Sequence, residues 1–217
     1  MYAQLCRELA PYHAQLAAVS KTRPATDIAA LYDKGQRIFA ENRVQELLPK
    51  YESLPKDIQW HFIGHLQKNK VKQIAPFIDL IESVDSLELL VEIDKQAARC
   101  QRVIPCLLEF HIAQEESKYG LSLEAAQQLL SSDTFATLHH VRIAGVMGMA
   151  TFTDDEAQVR AEFRALRHAF ESLKQLFFPD NPAFTELSMG MSSDYHIALE
   201  EGSTLVRIGT LLFGHRS

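Results

Sequence analysis

Apolar residues along this chain gather into short runs, and between the runs they thin to every third or fourth position. The first run, "LAAVSK" (Leu16–Lys21), is followed by "ATDIAALYDKG", in which Ile28, Leu31 and Tyr32 share one helical face. A short continuous run reads as a strand covered on both sides, and the three-to-four spacing reads as a helix with one face on a core. The rhythm recurs to the end of the chain. "RIFAEN", "WHFIG" (Trp60–Gly64), "LIESVD" (Leu80–Asp85), "IPCLLEFHI" (Ile104–Ile112), "RIAGVMGMA", "TELSMGM" and "LVRIGTLLFG" supply the later strands. Helices are predicted over "RVQELLPKYESL", "LQKNKVKQIA", "SLELLVEIDKQAARC", "SLEAAQQLLSS", residues 154–178 and "DYHIALEEG". Pro49 is expected to spoil the second half of the first of these, because proline removes an N–H and crowds the preceding turn. Ser86 and Ser122 stand where N-caps belong, and Gly35 and Gly202 stand where helices end. Ahead of the first strand, "AQLCRELAPYH" has room for about two helical turns before Pro11 stops it.

Strand and helix alternating in this order predict an α/β chain whose parallel sheet closes on itself. The expectation is a single (β/α)8 TIM-type barrel over residues 1–217, with a short N-terminal helix. An open doubly wound sheet is the alternative. It would favour a glycine-rich turn after the first strand, whereas that turn is "SKTRPA".

Charge narrows the partners. Lys+Arg number 22 and Asp+Glu 28, a formal charge of −6, which argues against nucleic acid or an anionic membrane surface. No apolar run approaches the ~18 residues of a membrane span. Arg7, Glu8, Pro11 and His13 interrupt any signal-peptide core, so a cytoplasmic protein is expected. Cys6, Cys100 and Cys106 are odd in number and lack C-x-x-C spacing, as for thiols in a reducing compartment. The nine histidines show no clustered Cys/His spacing, and no metal site is expected.

The candidate chemistry sits at strand ends. On the barrel reading Lys21 closes the first strand and points into the mouth, whereas the other lysines fall on predicted helices or polar loops. Two readings stand. Lys21 is a lysine whose ammonium reaches water, or an amine partly desolvated so that it attacks a carbonyl. Far along the chain, "LSMGMSSD" (Leu187–Asp194) and "RIGT" (Arg207–Thr210) follow the seventh and eighth strands, where this fold usually grips phosphate. Gly190 and Gly209 allow close approach of backbone N–H groups, and Ser188, Ser192 and Thr210 offer hydroxyls. An amine facing such a cradle suggests pyridoxal phosphate or a sugar-phosphate Schiff base. His61 is expected to pack or meet solvent and His65 to reach the mouth; Met147 and Met149 read as barrel filling, Asp194 as a helix cap and Lys118 as solvated.

These motifs carry a resemblance. "AVSKTRP", "ENRVQE", "WHFIGHLQKNK", "SVDS", "ESKYGL", "GVMGMATF", "LSMGMSSDY" and "GSTLVRIGTLLFG", in this order, resemble the pyridoxal phosphate homeostasis proteins, the YggS/PROSC family. The resemblance implies the fold-type III barrel shared with the N-terminal domain of alanine racemase, with pyridoxal 5'-phosphate held as an aldimine on a lysine. Residue by residue it implies Lys21 for the Schiff base and Asn42 near the pyridine ring. It implies Ser188, Met189, Gly190, Ser192, Gly209 and Thr210 for the phosphate, and Arg207 facing the ring nitrogen. Ala40 departs from the family, which often has glycine before the glutamate.

The function implied is buffering or delivery of the cofactor, with PLP-requiring apo-enzymes as recipients, a monomeric state and no turnover of its own. A racemase-like enzyme is the first alternative. It needs a second base, and none of the six tyrosines is placed opposite the lysine; the added β-domain of alanine racemase is not expected, since the chain ends at Ser217. A cofactor-free Schiff-base aldolase using Lys21 is the second.

Overall fold

The computed structural model describes residues 1–114 and 119–214. Lys118 lies outside the described residues. Eight parallel strands close into a barrel in chain order: β1 (Gln15–Val19), β2 (Ile38–Glu41), β3 (Gln59–Phe62), β4 (Leu80–Val84), β5 (Ile104–Phe110), β6 (Val141–Gly148), β7 (Glu186–Ser188) and β8 (Leu205–Ile208). Around them run α1 (Tyr2–Leu9), α2 (Ala25–Tyr32), α3 (Val44–Ser53), α4 (Lys68–Ile74), α5 (Leu87–Arg99), α6 (Leu123–Leu130), α7 (Asp133–Ala136), α8 (Glu156–Phe177), α9 (Tyr195–Glu200) and α10 (Thr210–Phe213). The ring closes where Ala17 of β1 pairs with Arg207 of β8. The open-sheet alternative is thereby excluded.

Strand alternation divides the core into two layers. Residues such as Trp60, Phe62, Ile81, Cys106, Leu108 and Val146 face outward onto the helices and join the large cluster with Leu166 and Phe163 of α8. Each such buried side chain contributes about 1.5–3 kcal/mol. Their neighbours face the axis, where Ala17, Val19, Ala40, Leu80, Leu107, Ala144, Met147 and Leu205 form a second, smaller cluster. Ala40 fits there without displacing the strand, pairing with Val19 and His61 in register. Among the described residues no helix is long and apolar enough to cross a membrane.

Several local expectations need correction. Helix α3 continues through Pro49, because only one backbone hydrogen bond is forfeited while buried Val44, Leu47 and Lys50 hold the helix on the sheet. Ser122 caps α6 by accepting from the Ala125 N–H, but the Ser86 hydroxyl turns away from α5 and donates to Asp85. "TELSMGM" is strand only as far as Ser188, and "TLLFG" leaves the sheet as α10. The N-terminal helix ends at Leu9, and Pro11 sits in a single 3-10 turn after it.

Candidate functional site

At the C-terminal rim of the strands lies a cavity of about 840 Å³. Lys21, Asn42, Ser192, Arg207, Gly209 and Thr210 all line it. The chain delivers Lys21 there by a tight device. β1 ends at Val19, Ser20 extends the ladder by one bond to the Ala40 carbonyl, and the Arg23 N–H closes a turn on the Ser20 carbonyl at 3.0 Å. Thr22 occupies the third position of that turn with φ of +65°. A left-handed conformation at a β-branched residue costs about 1–2 kcal/mol, so the surrounding structure must hold it. Opposite, Gly209 packs so closely on β1 that a Cβ there would lie 3.3 Å from the Val19 carbonyl oxygen. Side chains at Gly209 are therefore disfavoured, and the β8 loop sits directly beside the lysine-bearing turn. Thr210 and Leu211 open α10, where the first N–H groups of a helix have no carbonyl one turn back.

Arg207 rises from β8 into the base of the cavity, 3% exposed. Its Nη1 donates to Ser188 Oγ at 2.5 Å and its Nη2 to the Gly148 carbonyl at 2.9 Å. Ser188 in turn donates to Glu82 at 2.6 Å, and His61 Nδ1 meets the other Glu82 oxygen at 2.8 Å. Burial alone would push the Glu82 carboxyl up. The hydrogen bond and charge of His61, then Arg207 and Ser188, outweigh burial and hold it below its ordinary value. Burial lowers Arg207, and Glu82, Asp194 and Glu109 oppose it; an arginine keeps its proton under such a shift. The barrel axis thus contains a chain of polar groups running from His61 to the cavity floor.

Three of the expected phosphate residues are not in the cavity. Ser188, Met189 and Gly190 are buried and do not line it. β7 is three residues long, so its alternation turns Ser188 onto the axis and Met189 outward into the helix-facing cluster. Loop residues beyond them, Met191, Ser192 and Ser193, reach the rim instead. Asp194 does not cap α9 with its side chain; its carboxylate accepts the Met191 N–H at 2.6 Å and folds this loop back.

The cavity also holds residues that the sequence left aside. Glu109, on β5, faces the axis above Leu107 by strand parity. Burial, then the charge of Asp85, pushes its carboxyl up to about 7, against the pull of Arg207. Tyr119, a tyrosine that the sequence did not place opposite Lys21, lines the same space and stacks on His65, ring centroids 4.1 Å apart. His65 also faces Asp85 at 3.4 Å. His61 and His65 are four apart in sequence, yet one is buried on the axis against Glu82 and the other is exposed at the rim. Met147 fills the barrel, whereas Met149 is half-exposed at the mouth beside Phe152.

Comparisons with known proteins place this fold in a family. The family model described as "Alanine racemase, N-terminal domain" matches residues 2–217. A curated protein of Aquifex aeolicus (strain VF5), named "Pyridoxal phosphate homeostasis protein", is 42% identical over 204 residues, covering 94% of this chain and 87% of its own. PipY of Synechococcus elongatus PCC7942, solved without PLP, is similar at 38% identity and a TM-score of 0.90, covering 98% of each chain. The structure of PipY with PLP bound is similar at 37% identity and a TM-score of 0.87, again over 98% of each chain.

Proposed function

The chain belongs to the alanine racemase N-terminal domain family and, within it, to the pyridoxal phosphate homeostasis proteins; from that premise we propose that it binds pyridoxal 5'-phosphate in the barrel mouth through Lys21. Its role is to hold and hand on the cofactor within PLP homeostasis, with PLP-requiring apo-enzymes as recipients. The observation that carries this reading is the convergence of Lys21, Arg207, Gly209, Thr210 and Ser192 on one cavity.

The residues present fit the group. The cofactor supplies an aldehyde for an amine and an anionic tail. Lys21 is the cavity-lining amine, and the other described lysine near it, Lys50, is buried against Glu41 at 2.6 Å. Gly209 leaves the room a phosphate needs to approach backbone N–H groups, and Ser192, Ser193 and Thr210 offer hydroxyl donors around it. Asn42 stands at the lysine's side of the cavity. Arg207 would present a fixed positive charge to the ring nitrogen of the cofactor and so would keep that nitrogen unprotonated, which would weaken the ring as a sink for electrons. Holding the cofactor is favoured over turning it over.

Titration of the purified chain with pyridoxal phosphate, followed by absorbance, tests binding: a saturable visible band supports the reading. Incubating the loaded protein with single amino-acid enantiomers tests the absence of turnover. Inversion above the free-cofactor background would assign a racemase, with Tyr119 the residue to substitute first.

A further inference from the structure

Lys21 is fixed from both sides by residues that do not line the cavity. On its N-terminal side, Lys50 Nζ donates to the Ser20 carbonyl at 2.9 Å and to Glu41 Oε1 at 2.6 Å, and Ser20 Oγ donates to the same oxygen at 2.7 Å. On its C-terminal side, the Thr22 N–H donates to Glu46 Oε2 at 2.7 Å. Glu46 itself leans on Lys50 at 3.9 Å and on Arg43 at 3.8 Å. All of the clamp's charged groups come from the end of β2 or from Arg43 and α3 behind it. The Glu41 side chain is fully buried and that of Lys50 only 10% exposed, so the bonds among Ser20, Glu41 and Lys50 are shielded from competing water, whereas the Thr22–Glu46 bond lies nearer solvent.

Such an arrangement answers a need that the turn creates. A threonine at φ of +65° in the third position of a turn stands where glycine or asparagine usually does, and it persists only when its neighbours over-determine it. A charged acceptor on its N–H supplies that restraint, because hydrogen bonds to ionised groups are the strong ones. We infer that Lys50 and Glu46 are positioning residues, which grip the peptide on either side of Lys21 and hold its amine in the cavity. The inference rests on the reading of Lys21 as the residue that meets the cofactor's aldehyde. It assigns α3 a function besides packing: the helix carries the lysine's clamp on the face turned to the sheet.

Glu46 is the residue to test, since its side chain is a quarter exposed and truncation there need not endanger the core. Substituting Lys50 by methionine would leave Glu41 buried without its cation, so Lys50→Met serves only as a second variant. Two readouts are paired. In the cofactor-free protein, amide exchange at Thr22 is expected to run about tenfold faster in Glu46→Ala than in the unsubstituted chain and to return near its original rate in Glu46→Gln, whose amide oxygen still accepts the bond. On addition of pyridoxal phosphate, Glu46→Ala is expected to need about tenfold more cofactor for half-saturation of the visible band, with Glu46→Gln within about threefold of the unsubstituted chain. Thermal unfolding of the three chains should differ little. Unchanged exchange in Glu46→Ala, unchanged half-saturation, or a Glu46→Gln protein no better than Glu46→Ala would overturn the clamp. A protein that shows the exchange pattern yet never colours would instead overturn the proposed function and leave the clamp standing.

Discussion

Arg207 and Ser188 meet on the barrel axis, Nη1 to Oγ at 2.5 Å, and the serine hydroxyl donates its own hydrogen bond to Glu82. The contact fixes a guanidinium that would otherwise have several rotamers in reach. The Ser188 hydroxyl already has a donor and an acceptor and is wholly buried, an arrangement that disfavours a further role on a phosphate. The arginine reaches the cavity with its direction set by groups below the floor.

Ser188→Ala separates the two roles. Without the hydroxyl, Glu82 loses a donor and Arg207 an acceptor, and the loss is expected to cost about 1–3 kcal/mol of stability. Half-saturation with pyridoxal phosphate should move by less than about threefold, whereas loss of a phosphate ligand would move it about tenfold or more. Urea unfolding and a cofactor titration on the same preparation check both.

Glu109 should give the protein a specific pH dependence. Its carboxyl is near 7 in the folded chain against an ordinary 4.5, so between those values the folded state binds more protons than the unfolded state. Stability contributed at this residue is therefore greatest below the lower value and falls as pH rises through the upper one, by up to about 3 kcal/mol. Glu109→Gln removes the slope, and the variant should be the more stable of the two at pH 8. Urea midpoints of the cofactor-free proteins across pH 4.5–8 check this; parallel curves would contradict it.

Gly64 sets the position of Asn42. A Cβ at Gly64 would overlap the Asn42 carbonyl and come within 2.8 Å of its Cα, and both residues line the cavity. Gly64→Ala is expected to cost about 1–3 kcal/mol by forcing the β2 end aside, and to weaken cofactor binding along with stability. Gly214→Ala adds its methyl where nothing lies within 4 Å, but its φ of +80° carries a backbone penalty of about 1–2 kcal/mol, so it reports backbone strain without overlap and without an effect on cofactor binding. Melting temperatures and titrations of both variants give the comparison.

The barrel was legible because short apolar runs alternate with helical patterns eight times in order, and a helix between successive strands brings them back parallel. Lys21 was legible for the same reason: it is a lone cation at a strand end. The facing of Ser188 was not legible, because a strand of three residues fixes it only once its start is known, and a slip of one residue exchanges axis for helix layer. Lys50 carried a signal that composition hides. It continues the buried stripe of Val44 and Leu47 at helical spacing, so a lysine there must find a partner inside. Glu41, the last residue of β2, supplies it. Tyr119 had no such pattern, since it belongs to no helix or strand, and at the mouth its ring stacks on that of His65.

The most direct measurement is to load the protein with pyridoxal phosphate, reduce it with borohydride, digest it and map the modified peptide by mass spectrometry. The account predicts a single phosphopyridoxyl adduct on Lys21, and a Lys21→Ala protein that folds but retains neither adduct nor visible band. An adduct borne mainly by another lysine, or an unaltered band in Lys21→Ala, would contradict it.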